Sequence, residues 1–303
     1  MTNEIEKYIK DLEGEIKSTT DSIQKDEALL RLEEAARTYQ GEDEVVSWKD
    51  IAEDLKTRPE EKKIMTGYKE LDDILSGFRH KQLIVVSAAT KSGKTSFCIE
   101  MTSRMKEYNP MWLPFEEPAE ELILKFLDRK EDPPHAFSPK TMKGNTLTWV
   151  EKKIIEAKAK YDSQILFIDH LHFIIQMGEN MSQQIGITMR ELKRLAVKWN
   201  VVIILIAHLK KTKMEEQPTL EDLRDSSFIA QEADTVIMLW RETKKELGQV
   251  IITNNVNISV QANRKTGKTG NVKMIFQDGK FLAEDWRSDL EQDADMDKDF
   301  DGI

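Results

Sequence analysis

The segment that most constrains this chain is AATKSGKT, residues 88–95. An apolar run at residues 83–86 precedes it, and a helical pattern follows at residues 95–107. A strand, a loop ending in Gly-Lys-Thr and a helix together form a phosphate-binding P-loop, although Ala88 stands where the first glycine usually stands. A chance Gly-Lys-Thr in a lysine-rich loop is the alternative, and the flanking strand and helix argue against it. The segment therefore predicts an α/β fold built around a nucleotide site.

The chemistry of such a loop follows from its backbone. Several N–H groups converge on a phosphate chain at the start of the helix, where the helix dipole is positive. Lys94 would add a positive charge at the β- and γ-phosphates, and the Thr95 hydroxyl would hold Mg²⁺. The residues predicted to contact the nucleotide are Ala89, Thr90, Lys91, Ser92, Gly93, Lys94, Thr95 and Ser96.

Further short apolar runs alternate with helical segments such as residues 183–199. Their nearly continuous hydrophobicity is typical of a parallel sheet that is covered on both faces. The end of the chain instead resembles a β-meander with a turn at Asp278-Gly279. The predicted strands after residues 83–86 are 111–115, 165–168, 201–206, 234–239, 258–261, 272–276 and 281–282.

Acidic residues follow two of these strands. Asp169 ends the run 165–168 and is predicted to be the Walker B acid, the second metal ligand beside Thr95. The next residue is His170, so this strand supplies no second acid that could activate water. Glu116 ends another strand and would point to the same edge of the sheet, while Glu117 competes with it for the role of catalytic base.

Composition limits the class of protein. The chain has 303 residues, 39% of them hydrophobic, which is enough for one or two folded domains. Residues 284–303 hold nine acidic residues against two basic ones and account for most of the net charge of −10, so a nucleic-acid site elsewhere is not excluded. One cysteine, Cys98, and no apolar run near the ~18–20 residues of a membrane span predict a soluble, cytoplasmic protein.

The same patterns predict three segments: a helical extension at residues 1–60, an α/β domain at 61–284 and an acidic, disordered tail at 285–303. Ser47 is expected to cap a short helix that runs to Leu55. The extension is predicted to be one amphipathic helix or a helical pair, which either packs as an extension of the domain or makes a coiled-coil or oligomer contact. The tail either solubilises the chain or binds a basic partner. The apolar residues spaced for the N-terminal helices are Ile5, Ile9, Leu12, Ile16, Ile23 and Leu30.

The order of motifs resembles the RecA-like motor domain of DnaB-type replicative helicases, including phage primase-helicases and Twinkle. The similarity runs over residues 64–283 and includes TGYKELD at 66–72, the P-loop, FEEPAE at 115–120 and IAHL at 206–209. Its most specific part is DLRDSSFIAQEAD at residues 222–234, which is similar to a segment found in DnaB-type proteins and not in recombinases.

The resemblance implies particular roles. It favours Glu116 over Glu117 as the catalytic residue, and it makes His208 the sensor of the γ-phosphate. Arg264 would be an arginine finger that reaches the ATP bound by a neighbouring subunit. Bacterial members have a second basic residue where this chain has Ala262, so Lys265 or Lys268 would assist Arg264.

The resemblance also implies a function: a phage-like, Mg²⁺- and ATP-dependent helicase that assembles as a hexamer and moves 5′–3′ on single-stranded DNA. Basic loop residues would grip the DNA phosphates. A primase, a polymerase or a single-strand-binding protein could bind the N-terminal helices or the tail. A non-unwinding RecA- or KaiC-like ATPase and an accessory scaffold are the alternatives. The candidate DNA-binding residues are Lys210, Lys211, Lys213 and Arg224.

Overall fold

The computed structural model describes residues 2–37, 39, 44–89, 92–128, 130–175, 181–209, 217–223, 226–246 and 249–283. The predicted acidic tail lies outside these residues. By its contacts the chain divides into two compact units, Met1–Glu61 and Lys62–Ile303. In the described part of the chain, no helix has both the length and the apolarity needed to cross a bilayer.

The first unit contains helices α1 (Thr2–Ser18), α2 (Ser22–Ala36) and α3 (Trp48–Thr57). Helices α1 and α2 pack against each other and bury Leu12 and Ala28. The Asp21 carboxylate accepts a hydrogen bond from the Ile23 N–H, which starts α2 and turns the chain. Of the two predicted alternatives, one amphipathic helix or a helical pair, the structure has the pair, and Ile23 is exposed.

Helix α3 begins where the sequence predicts. The Ser47 hydroxyl accepts a hydrogen bond from the Asp50 N–H at 3.1 Å and donates one to the Asp50 carboxylate at 2.7 Å. The side chains of the cap therefore satisfy each other and one of the free N–H groups at the start of the helix.

The second unit is an eight-stranded sheet in the order β2-β3-β4-β1-β5-β6-β7-β8. Strands β1 to β5 are parallel, and β6, β7 and β8 continue the sheet antiparallel. The predicted α/β class with a mainly parallel sheet and C-terminal hairpins is confirmed. The strands are β1 (Leu83–Ala88), β2 (Met111–Pro114), β3 (Ile165–Asp169), β4 (Val202–His208), β5 (Thr235–Glu246), β6 (Gln249–Asn263), β7 (Gly270–Gln277) and β8 (Lys280–Ala283).

Helices cover both faces of the sheet. Alternate residues of β1 belong to different cores: Ile84 and Val86 to the core with α5, and Leu83 and Val85 to the core with α8. This two-sided burial is why the parallel strands are nearly continuous apolar runs. The helices of this unit are α4 (Lys69–Leu75), α5 (Lys94–Arg104), α6 (Ala119–Asp128), α7 (Leu147–Tyr161), α8 (Met181–Lys198) and α9 (Ser226–Glu232).

Two strands, β5 and β6, are longer than their sequence patterns predict by at least six residues. Strand β5 runs to Glu246 and pairs there with Gln249 at the start of β6, whereas the apolar patterns cover only 234–239 and 258–261. The outer half of this hairpin is largely exposed, so no apolar alternation marks it. Pro114 lies at the end of β2, an edge strand, where a missing N–H does not interrupt the sheet.

Candidate functional site

The parallel strands bring the predicted catalytic residues to one edge of the sheet. Ala88 at the end of β1 lies beside His208 at the end of β4, and Asp169 at the end of β3 lies beside Pro114 of β2. Parallel strands all present their carboxyl ends at the same edge, which is where open α/β sheets bind ligands. Loops that follow four strands therefore meet there.

The P-loop enters α5 through Gly93, whose φ of +89° lies in the left-handed region. A Cβ at Gly93 would lie 3.3 Å from Cζ of Phe281 of β8, so glycine suits both the backbone and the space. The Ser92 N–H donates to the Ala89 carbonyl at 3.2 Å, and Ser96 lies in the first turn of α5. The predicted contacts Thr90 and Lys91 lie outside the described residues.

The Lys94 side chain is buried, and its Nζ donates to the Ala88 carbonyl at 3.4 Å. Burial lowers the pKa of Lys94, and the nearby carboxylates of Asp169 and Glu116 oppose that shift. A buried ammonium with one long neutral contact has donor capacity left for an anion. Phosphate oxygens would supply such an anion.

Asp169 and Thr95 form the second part of the site. The Thr95 hydroxyl donates to Oδ2 of Asp169 at 2.8 Å, while Oδ1 is buried without a hydrogen-bond partner among the described residues. Burial raises the pKa of Asp169 to about 6, against the hydrogen bond from Thr95, which lowers it. An unpartnered carboxylate oxygen beside a hydroxyl is a donor set that Mg²⁺ accepts, so these residues fit the metal expected with a nucleotide.

Glu116 lies beside this pair. Its N–H donates to the Asp169 carbonyl at 3.0 Å, which fixes its backbone against β3. Its carboxylate Oε2 is 3.1 Å from Nδ1 of His170 and 3.6 Å from Nε2 of His208. The carboxylate of Glu117 instead pairs with Lys125 of α6 at 2.5 Å. The structure therefore brings the Glu116 carboxylate, rather than that of Glu117, against the two histidines at the sheet edge.

His170 is a member of the site that the sequence analysis did not select. Its ring packs edge-on against that of His208, with centroids 4.3 Å apart. Burial and the neighbouring His208 lower the pKa of His170 to about 4, so its imidazole is neutral at pH 7. The available sequence signal was its position directly after Asp169, on the strand next to the one that ends in His208.

Arg264 lies at the opposite end of the parallel strands, where β1 begins. It follows β6, its N–H donates to the Asp234 carbonyl at 2.8 Å, and the Asp234 carboxylate accepts from the N–H of Leu83, the first residue of β1. The six residues of β1 thus separate Arg264 from the P-loop, a length of about 20 Å. The exposed Arg264 does not meet Lys94 or Asp169 of its own chain.

The predicted DNA contacts Lys210, Lys211, Lys213 and Arg224 all lie outside the described residues. The described residues nearest to them in the chain are Leu209 and Leu223, which form a β-bridge with each other. Both of these leucines are buried.

Comparison with known families gives one matching family model, described as the DnaB-like helicase C terminal domain. It matches residues 63–133 and 137–283. Among curated relatives, the Replicative DNA helicase DnaB of Geobacillus stearothermophilus is 25% identical over 248 residues, and the Replicative DNA helicase DnaC of Bacillus subtilis is 25% identical over 254 residues. Each alignment covers 70% of this chain and 54% of the relative, so the chain spans about half the length of the curated relatives it matches.

Solved structures show the same fold. The chain is similar to one described as an ATPase domain, with a TM-score of 0.65, 20% identity, and coverage of 78% of this chain and 96% of that one. It is also similar to a DnaB-like replicative helicase whose structure was determined together with its interactions with primase. Here the TM-score is 0.67 and the identity 19%, with coverage of 92% of this chain and 76% of that one.

Proposed function

Because the chain belongs to the DnaB-like helicase C-terminal domain family, we propose that it is the ATP-hydrolysing motor of a ring helicase that moves 5′–3′ along single-stranded DNA. The observation that carries the proposal is the meeting of Lys94, the Thr95–Asp169 pair and Glu116 at one edge of the sheet. These are the groups that phosphoryl transfer to water requires: a cation for the phosphates, metal ligands and a base.

Each group has a distinct task in this proposal. Lys94 and the N–H groups at the start of α5 bind the β- and γ-phosphates. Thr95 and Asp169 would hold Mg²⁺, which when bound neutralises charge on the phosphate oxygens. The Glu116 carboxylate orients the attacking water and accepts its proton, and His208 contacts the γ-phosphate. The unpartnered Oδ1 of Asp169 and the position of Lys94 at the start of α5 support this arrangement.

The position of Arg264 supports a ring. About 20 Å of strand separates Arg264 from the P-loop of its own chain, so an Arg264 that takes part in hydrolysis would do so by reaching a nucleotide on another subunit. A planar guanidinium suits that task, since it can stabilise charge that is spread over phosphate oxygens. We therefore propose a homo-oligomer, most simply a hexamer, in which each Arg264 completes the site of a neighbour.

The DNA and protein partners belong to the same proposal. The four basic residues that follow β4 or precede α9 in the chain are proposed to contact DNA phosphates: Lys210, Lys211, Lys213 and Arg224. The similar DnaB-like helicase interacts with primase, which makes primase a partner to test first, with the N-terminal helices or the acidic tail as its contact. A polymerase and a single-strand-binding protein are the further candidates.

The test is the steady-state ATPase rate with and without single-stranded DNA, together with the mass of the protein in Mg²⁺ and ATP. We expect a ring whose turnover rises when DNA is added. Lys94→Ala is expected to remove turnover, whereas Lys49→Ala on the exposed face of α3 is expected to leave it unchanged. A monomer with no DNA-stimulated turnover would overturn the proposed motor function and favour the alternative of an accessory scaffold. DNA-stimulated turnover without strand displacement would instead favour the non-unwinding ATPase.

A further inference from the structure

Three side chains at the sheet edge, beside the Thr95–Asp169 pair, bring metal-ligating atoms close together. Glu116, His170 and His208 each offer one ligand atom, and all three atoms lie within 4.8 Å of one another. Two of the separations are 3.1 Å, between Oε2 of Glu116 and Nδ1 of His170, and 3.6 Å, between the same oxygen and Nε2 of His208. We call these three residues the Glu-His-His cluster.

These separations match a tetrahedral ion. Zinc bonds to imidazole nitrogen and carboxylate oxygen are about 2.0–2.1 Å long, so two ligand atoms of a tetrahedron lie about 3.3 Å apart. The two observed separations are on either side of this value. The third pair, one nitrogen from each imidazole, lies within 4.8 Å, and the Glu116 side chain is 47% exposed and able to adjust to an ion held between the rings.

The fold holds the three ligands in place through consecutive strands of the sheet. Glu116 follows β2, His170 follows β3 and His208 ends β4, and these strands are neighbours in that order. The Glu116 N–H donates a hydrogen bond to the carbonyl of Asp169, the residue before His170. The rings of His170 and His208 pack edge-on against each other. The His170 side chain is only 12% exposed, so packing already restricts its orientation.

The ligand types select the kind of ion. Two imidazoles and one carboxylate suit Zn²⁺ or a similar divalent transition ion, whereas Mg²⁺ takes oxygen ligands and prefers the Thr95–Asp169 pair. Three protein ligands leave a fourth position open for water. The cluster therefore differs chemically from the Thr95–Asp169 pair beside it.

We propose that the Glu-His-His cluster binds Zn²⁺ and that this binding excludes ATP hydrolysis. The ion occupies the carboxylate that would accept the proton of the attacking water, and it holds His208 away from the γ-phosphate. The exclusion of hydrolysis rests on the function proposed above. The binding site itself does not, because its geometry depends only on the three side chains.

Binding is tested with the full chain, without nucleotide and with Mg²⁺ in excess, by titration with Co²⁺ as a spectroscopic substitute for Zn²⁺. We expect visible absorption bands typical of tetrahedral Co²⁺, which one equivalent of Zn²⁺ abolishes. Glu116→Gln and His170→Asn are each expected to remove the bands. Losing a residue that only supports a metal ligand already weakens metal binding by about 10-fold to 100-fold, so losing a ligand itself is expected to weaken Zn²⁺ binding by at least that much. Glu116 is exposed, so its substitution does not endanger folding.

His172→Asn is the matched control, because this ring lies 5.4 Å from that of His170 and outside the cluster. It is expected to keep the Co²⁺ bands. Bands that are absent in the wild-type protein, or that survive in Glu116→Gln and His170→Asn, would overturn the site. Loss of the bands in His172→Asn alone would assign the ion to other ligands and would overturn it too.

Inhibition is measured separately as the ATPase rate at buffered free Zn²⁺. The rate is expected to fall with the same midpoint as Zn²⁺ binding in the wild-type protein and in His172→Asn. Uninhibited turnover with the Co²⁺ bands present would overturn the exclusion of hydrolysis. A protein that hydrolyses no ATP at all would refute the proposed function, while the Co²⁺ spectra would still decide the metal site.

Discussion

Replacing Thr95 by valine tests the metal half of the site, because it removes one hydroxyl and keeps the shape of the side chain. In the structure that hydroxyl donates to Oδ2 of Asp169 at 2.8 Å, and Oδ1 already has no partner among the described residues. The variant therefore leaves a buried carboxylate with both oxygens unsatisfied. Such a carboxylate holds a proton more tightly than it does in the wild-type protein.

The size of the effect follows from the pKa of Asp169, which burial raises to about 6. A hydrogen bond to a charged group contributes about 1.5–3 kcal/mol, and 1.36 kcal/mol corresponds to about one pH unit. The pKa of Asp169 in Thr95→Val is therefore expected to rise by about 1–2 pH units. Mg²⁺ needs the ionised carboxylate, so protons compete with it. Mg²⁺-dependent nucleotide binding is lost as the pH falls through about 6 in the wild-type protein, and already near neutral pH in the variant.

The assay is ADP binding measured over a range of about pH 5 to 9, once at subsaturating Mg²⁺ and once with a chelator. The difference between the two binding curves gives the part of ADP binding that depends on Mg²⁺. Thr95→Ser keeps the hydroxyl and is expected to keep the wild-type midpoint. Asp169→Asn has no carboxyl group to titrate at this position, so the pH dependence of ADP binding in this variant reports the titration of the nucleotide phosphates alone. If Thr95→Val weakens binding equally at every pH and leaves the midpoint in place, Thr95 is only a metal ligand and the reasoning about Asp169 is refuted.

Two further outcomes are expected from other parts of the molecule. Arg264→Ala is expected to lose ATPase activity while it binds nucleotide normally. Mixing it with Lys94→Ala subunits is expected to restore turnover, because the Lys94→Ala subunits supply the missing arginine. Activity in Arg264→Ala alone, or no activity in the mixture, would contradict an arginine that acts between subunits. Phe281→Ala empties a fully buried position in contact with the rings of Phe97 and Phe276, and it is expected to lower the free energy of unfolding, measured in urea, by about 3–5 kcal/mol. Leu124→Ala at an exposed position of α6 is expected to lower it by less than about 0.5 kcal/mol. Equal losses in the two variants would contradict this packing.

Predictions from local pattern agree with the structure where burial is uniform. The five parallel strands are buried on both faces, so each is a short apolar run that begins and ends within a few residues of its prediction, apart from the exposed extension of β5. The predicted helix cap at Ser47 depends only on Ser47 and Asp50, three residues apart, and it is confirmed as well. The β5–β6 hairpin is longer than its pattern because its outer half faces solvent and carries no apolar signal.

The choice between Glu116 and Glu117 shows what pattern leaves open. Both follow β2, and from the residues alone they differ by one position. The pairing of Glu117 with Lys125 and the contact of Glu116 with two histidines separate them, and each of these contacts depends on how α6, β3 and β4 are placed around β2. The part of His170 in the site depends on the same placement.

The sequence by itself determined the α/β class, the strand and helix that flank the predicted phosphate loop and the acids that follow the strands, because each depends on residues close together in the chain. Tertiary structure decided which of those acids meet, which histidines join them and that Arg264 lies about 20 Å from its own P-loop. The strand order β2-β3-β4-β1-β5 sets these distances, and that order comes from how the helices pack across the two faces of the sheet. No local spacing of residues encodes it.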